Sequence, residues 1–274
     1  MRTAAASLDL VRPRSVDEAL RLLSADPSLV PIAGCTDVFV GLNAGTLPAT
    51  RYIDLWSLDE LREVGVHNGA LFVGALVTHS MVQDSVPIVN RLPILAAACR
   101  EIGGLQIQNR GTLGGNVANG SPAGDTLPVL AVVEATVVLR SVEGERRVPF
   151  TSFFTGYRTT VRRPDELIVA FELPPLERPQ RFRKVGTRAA QAISKVVMAM
   201  SGGDRPRVAV GSVGPTVMRC TKTEAALAAG ASFEDAARIL ESEVQPIDDI
   251  RSTADYRRRV CGNLLRRFGA DRSR

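Results

Sequence analysis

The sequence reads as an α+β chain. Strand-like and helix-like segments alternate unevenly, hairpin signals recur, and no regular strand–helix–strand repeat runs through it, which argues against a doubly wound parallel sheet. The composition, 45 % hydrophobic and 23 % charged over 274 residues, fits a globular chain long enough to bury a substantial core.

Each element has a local reason. Ser15-Val16-Asp17-Glu18 is a capping box, and Val16, Ala19, Leu20 and Leu23 supply the apolar stripe of the helix it opens. Residues 29–33 and 51–55 read as strands. Strands at 64–66 and 71–74 flank Asn68-Gly69, a hairpin-turn dipeptide. Residues 92–100 are helical. Residues 103–125, rich in Gly, Asn, Ser and Pro, read as a long loop, and a loop of that length in a compact domain is usually functional. Strands follow at 136–140, 146–150 and 166–173. Leu173-Pro174-Pro175-Leu176-Glu177-Arg178-Pro179 carries three prolines and marks a boundary between domains 1–176 and 177–274. Beyond it, strands are expected at 181–186 and 207–213, and helices at 190–200, 221–229, 233–243 and 253–268.

The formal charge of +5 raises the question of a polyanion partner. Residues 251–274 hold eight arginines against Asp255 and Asp271, so the excess is local and the rest of the chain is close to neutral. Within that tail Tyr256, Val260, Leu264 and Phe268 form one helical stripe, and the arginines fall on the remaining faces as a solvated surface. No aromatics interleave them on the exposed side, so nucleic acid is not expected as a partner. The longest apolar stretch, residues 127–139, is broken by Glu134 and too short to span a bilayer. The N-terminus has no apolar core of signal-peptide length, and Cys35, Cys99, Cys220 and Cys261 are scattered without a Cys-x-x-Cys pair. A cytoplasmic chain with free thiols and no metal site of its own is expected.

Two segments carry chemistry. Ala33-Gly34-Cys35-Thr36-Asp37 follows a strand and opens a short helix; Gly111-Thr112-Leu113-Gly114-Gly115-Asn116 lies in the long loop. Glycines let the main chain approach a ligand and turn successive N–H groups inward, and a helix start adds further donors. Thr36 and Thr112 add hydroxyls, and Asn116 tolerates left-handed geometry at the loop exit. Gly114→Val is expected to push side-chain atoms into the anion site. Neither loop is a Rossmann fingerprint or a P-loop. The segment Asn119-Gly120-Ser121-Pro122-Ala123-Gly124-Asp125 ends in a carboxylate, a poor phosphate ligand but a good acceptor for ribose or ribityl hydroxyls. Phosphate loops beside a hydroxyl acceptor point to a dinucleotide or flavin nucleotide.

At these residues the sequence resembles the FAD-binding subunit of the molybdenum hydroxylases, the xanthine dehydrogenase and aerobic carbon monoxide dehydrogenase family. The likeness runs essentially end to end and takes in Phe182-Arg183-Lys184-Val185-Gly186-Thr187-Arg188 and Pro246-Ile247-Asp248-Asp249-Ile250-Arg251. It implies an FAD-binding domain of two α/β subdomains, of the vanillyl-alcohol oxidase-like fold, and a small C-terminal domain of a three-stranded antiparallel sheet with helices. It implies that Pro31, Ile32, Ala33, Gly34, Cys35, Thr36, Asp37 and Val38 line a first diphosphate loop, and Thr112, Leu113, Gly114, Gly115 and Asn116 a second. Asp125 matches the hydroxyl-binding aspartate; Ile102 and Ile168 fall at two apolar contacts, and Lys184 at a lysine near the flavin. Cys35 stands where the commonest loop has glycine.

The resemblance further implies partners: a large subunit with the molybdopterin cofactor and a small subunit with two [2Fe–2S] clusters, in a dimer of heterotrimers. Electrons would pass to FAD and on to NAD+ or another acceptor, with a purine such as xanthine as substrate. A self-sufficient FAD oxidoreductase of the vanillyl-alcohol oxidase-like fold, and a scaffold that keeps the fold without flavin, are the competing readings.

Overall fold

The computed structural model describes residues 8–47 and 50–270. The first subdomain comprises β1 (Asp9–Val11), α1 (Val16–Ala25), β2 (Val30–Ile32), α2 (Val38–Ala44) and β3 (Arg51–Asp54). β3 lies between β1 and β2 and pairs with both in parallel. Ser15 caps α1, its Oγ accepting from the Glu18 N–H at 3.1 Å. The Glu18 carboxylate reaches the Arg14 N–H instead of Ser15, at 2.7 Å, so the box is displaced by one residue. Val16, Ala19, Leu20 and Leu23 pack on Leu29, Ile53 and Leu55.

A 3-10 turn at Asp59–Arg62 leads into the second subdomain, β4 (Val64–His67) and β5 (Ala70–Gly74). Asn68 and Gly69 take φ of 50° and 84°, as a two-residue turn between right-twisted strands requires. Six short helices follow: α3 (His79–Asp84), α4 (Val86–Arg91), α5 (Pro93–Arg100), α6 (Leu105–Arg110), α7 (Leu113–Asn119) and α8 (Leu127–Val132). Then come β6 (Thr136–Ser141), β7 (Gly144–Pro149), the small hairpin β8 (Phe154–Gly156) and β9 (Thr159–Thr160), and β10 (Leu167–Leu173). The sheet order is β4-β5-β10-β6-β7, antiparallel throughout.

The loop expected over 103–125 therefore contains two helices. α7 is held by tertiary bonds: the N–H groups of Leu113 and Gly114 donate to the carbonyls of Val77 and Ala75, both at 2.9 Å. Thr112 caps α7 by accepting from the Gly115 N–H at 3.0 Å. The left-handed residue at the exit is Gly120, φ 60°, whereas Asn116 lies inside the helix.

The C-terminal part holds β11 (Gln180–Val185), β12 (Val196–Ser201), β13 (Arg207–Gly211), β14 (Met218–Arg219), α9 (Thr221–Ala228), α10 (Phe233–Glu243) and α11 (Ala254–Ala270). Three full strands and the two-residue edge strand β14 form one antiparallel sheet in chain order. The helix expected at 190–200 is not there; Val196–Ser201 is the central strand β12. Its residues are all buried because both faces are covered. Val196, Met198 and Met200 pack toward α10 and α11, while Ala199 joins the core of the second subdomain with Ala209. A strand buried on both faces loses its alternation and cannot be told from a buried helix by periodicity.

On α11, Leu264 and Phe268 are buried, whereas Tyr256 is 38 % exposed. Arg266 reaches Glu234 and Glu241 of α10 at 2.7 and 2.9 Å. Arg272, Arg274 and the first seven residues lie outside the described ones. Among the described residues no helix is long and apolar enough to cross a membrane.

Candidate functional site

A cleft of 1310 Å³ runs between the two N-terminal subdomains and the C-terminal sheet. Three pieces of chain make its floor.

The first is the turn from β2 into α2. The N–H groups of Gly34, Cys35, Thr36 and Asp37 donate to no group of the chain among the described residues. Cys35 takes φ of 61°, which supplies the left-handed step of an anion nest without a glycine. Its half-buried thiol donates to the Ala33 carbonyl at 3.3 Å. Burial, with Asp54 nearby, pushes its pKa up, so the thiol stays protonated.

Gly34 permits the close approach that joins this loop to the second. A Cβ there would sit 1.7 Å from the Arg110 carbonyl oxygen, so any side chain would force the loops apart. The Arg110 guanidinium lies 3.7 Å from the ring centre of Trp56, whose ring Arg62 also covers at 4.4 Å.

The second piece is the start of α7. The N–H groups of Leu113 and Gly114 are spent on Ala75 and Val77, so this loop is no backbone nest. It offers side chains instead. The Asn116 Oδ1 accepts from the Thr126 hydroxyl at 2.5 Å, which leaves its amide NH2 as a donor. Leu113 does not reach the cleft; its side chain is fully buried in the core. Gly114 faces Ala75, whose oxygen would lie 2.7 Å from a Cβ, so a valine there would break the fold first. Gly115 is the position that opens outward: a Cβ would meet only the Thr112 hydroxyl.

The third piece is Asp125, at the end of the Ser121–Gly124 turn before α8. Its Oδ2 accepts from the Lys184 ammonium at 2.6 Å, and Lys184 also donates to the Glu101 carbonyl at 2.8 Å. Lys184 comes from β11, so this contact ties the C-terminal sheet to the N-terminal part. The Asp125 Oδ1 is buried with no partner. Burial pushes the Asp125 carboxyl up to about 6 against the pull of Lys184. An unpaired oxygen on a buried carboxylate is costly, and Asp125 is one of the residues that line the cleft.

Pro31, Ile32, Ala33, Thr36, Asp37 and Val38 line the same cleft, as do Ile102, Thr112, Asn116 and Ile168. Of the expected site residues, Leu113 alone stays outside it. Lys195, expected on a helix, instead precedes β12 with its ammonium 5.0 Å from the Tyr256 ring. Sequence reasoning takes His79 for a polar loop or helix-start residue and not for a site residue, and it misses Arg158. His79 opens α3 and lies on the floor; Arg158 donates to Asn119 at 2.9 Å beside Tyr157. A Thr78 cap three residues before Met81 was the signal available for the first.

Comparison with known proteins explains this arrangement. Residues 6–176 match the FAD binding domain in molybdopterin dehydrogenase, and residues 181–271 match the CO dehydrogenase flavoprotein C-terminal domain. The chain belongs to this flavoprotein family. It is 30 % identical to the glyceraldehyde dehydrogenase medium chain of Sulfolobus acidocaldarius, over 91 % of this chain and 92 % of that one. It is also 30 % identical to a putative xanthine dehydrogenase FAD-binding subunit of Escherichia coli, over 93 % and 92 %. Its fold matches a solved carbon monoxide dehydrogenase chain of Hydrogenophaga pseudoflava with TM-score 0.89 at 28 % identity, covering 95 % of each. The molybdenum hydroxylase flavoprotein is thus an FAD-binding medium subunit of an oxidoreductase.

Proposed function

We propose that this flavoprotein subunit binds one FAD across the three pieces of the cleft floor. The diphosphate would meet the free N–H groups of Gly34 to Asp37 on one side, and the Thr112 hydroxyl and the Asn116 amide on the other. Asp125 would accept a hydroxyl of the flavin nucleotide at Oδ1. That buried oxygen without a partner carries the reading, since a hydroxyl donor is what it lacks. Ile102 and Ile168 supply apolar walls.

When bound, FAD converts between one-electron and two-electron carriers, which iron–sulfur clusters and NAD+ respectively require. The chain's own part is to bind, orient and exclude water. Lys184 holds a positive charge on this floor, but its contacts make it first of all a partner of Asp125.

Among the described residues no group of three or more His, Cys, Asp or Glu side chains could hold a metal. Three of the four cysteines are fully buried. In our reading the molybdopterin cofactor sits in a large partner subunit and two [2Fe–2S] clusters in a small one, within a cytoplasmic dimer of heterotrimers. Electrons pass from the clusters through this chain to NAD+ or another acceptor.

Native purification on a tag fused to this chain tests it. The expected eluate contains two further subunits, iron, molybdenum and one flavin per chain. A lone, colourless, metal-free chain would overturn the proposal.

A further inference from the structure

His79 is 2 % exposed and takes no part in the site as described so far. Its main-chain N–H donates to the Gly111 carbonyl at 3.0 Å, so α3 begins on the second loop. Its ring Nδ1 lies 3.5 Å from the Cys99 Sγ on α5. The Nε2 edge runs along Gly111, where a Cβ would stand 2.9 Å from Cδ2 and 3.1 Å from Nε2, one residue before Thr112. His79 lines the cleft, and Nε2 has no hydrogen-bond partner in the chain among the described residues.

The protonation pattern of this pair follows from its surroundings. Cys99 is completely enclosed, which pushes its thiol far up and keeps the S–H intact. Burial also pushes His79 down to about 4, so the imidazole is neutral at ordinary pH. A neutral imidazole has one N–H and one bare nitrogen, and the group bonded at one nitrogen decides the other. Where the intact thiol donates to Nδ1, the proton of the ring is on Nε2, which adjoins Gly111 in the cleft lining.

We propose that His79 is a neutral hydrogen-bond donor to the bound flavin nucleotide, with Cys99 fixing it as the Nε2–H tautomer. This rests on the FAD assignment above. A neutral donor on the floor holds an acceptor oxygen without adding a charge to a site whose buried carboxylate already has its ammonium. Cys99 never touches the ligand; it is a positioning residue that acts through the ring.

The chain has only two histidines, and His67 is exposed, so a His67→Gln background leaves a single imidazole to observe. Nitrogen-15 NMR of the full chain should then show a bare Nδ1 and a protonated Nε2, and Cys99→Val should mix or reverse that assignment. Flavin dissociation measured on native preparations should weaken about tenfold for His79→Phe, equivalent to about 1.4 kcal/mol. His79→Gln, which keeps an N–H donor, should stay within about threefold of the natural protein. A proton found on Nδ1, or a His79→Phe protein that is folded and holds flavin as tightly as the natural one, overturns this proposal alone. A natural protein that takes up no flavin overturns the FAD assignment and this proposal with it.

Discussion

Replacing Lys184 with methionine keeps the length of the side chain and removes its charge, leaving Asp125 without a counter-ion in a buried setting. In the natural protein the Asp125 carboxyl sits at about 6, against 3.8 for the ordinary group. A folded-state pKa above the unfolded one means that ionised Asp125 disfavours folding. The penalty is absent below pH 3.8, grows as pH rises, and is complete above 6, at about 3 kcal/mol. Without the ammonium the carboxyl moves higher still. At pH 8 the methionine variant should therefore lose about 3–5 kcal/mol, the range for stranding one partner of a buried pair. At pH 5 Asp125 can take a proton, and the loss should shrink to about 1–2 kcal/mol for the missing bond to the Glu101 carbonyl. Urea denaturation of the full chain at the two pH values measures this. The double variant Asp125→Asn, Lys184→Met should recover about 2 kcal/mol over the single one at pH 8. Equal losses at pH 5 and pH 8, or a double variant no better than the single, would refute the argument that this pair is a buried, coupled unit.

Other perturbations read different parts of the site. Gly34→Ala puts a methyl into the Arg110 carbonyl and should cost more than about 2 kcal/mol, seen as a lower Tm, with flavin lost from the native preparation. Gly115→Val should leave the Tm within a few degrees yet give colourless protein, whereas Gly114→Val should fail in solubility or Tm first because it collides with Ala75. Cys35→Gly should gain about 0.5–1 kcal/mol by relieving a positive φ, which thermal unfolding would show; a loss would mean the thiol contact with Ala33 outweighs the backbone strain. His79 has its pKa lowered to about 4 from 6.5. Its contribution to stability is full above pH 6.5 and is lost as pH falls toward 4, by about 3 kcal/mol. Asp125 runs the opposite way in the same window, so the quantity to measure is the difference between the natural chain and His79→Gln, which should narrow as the pH falls.

Much of the fold was legible in local sequence, and the failures share a cause. The helix starting at Val16, the Asn68-Gly69 hairpin and the three C-terminal helices are written in caps, turn residues and apolar stripes close along the chain. β12 was not, because burial on both faces erases the alternation that identifies a strand. α6 and α7 were not: α7, rich in Gly and Asn, is anchored by bonds to Ala75 and Val77, more than thirty positions away, and α6 by side-chain bonds of Gln108 and Asn109 to Gln83 and Ser80. For the site, the sequence could point to both loops and to Asp125. It could not say that the second loop has already used its N–H groups, that Gly34 touches Arg110, or that Lys184 serves Asp125. Those are facts of long-range contact, which residue type alone does not encode.

The helix α8 bears on what the proline-rich stretch at 173–179 means. All six of its residues are buried, because one side faces the N-terminal core and the other is roofed by Ala199 and Ala209 of the C-terminal sheet. Beside it, Glu134 takes Arg207 and Arg219 at 2.6 and 3.4 Å. The regions matched by the two family models therefore share a buried apolar contact across that stretch. A gene fragment ending at residue 176 would carry an apolar helix with its roof removed, and the complementary fragment a sheet with one naked face. Co-expression of the two halves is the way to learn whether they find each other without the peptide link.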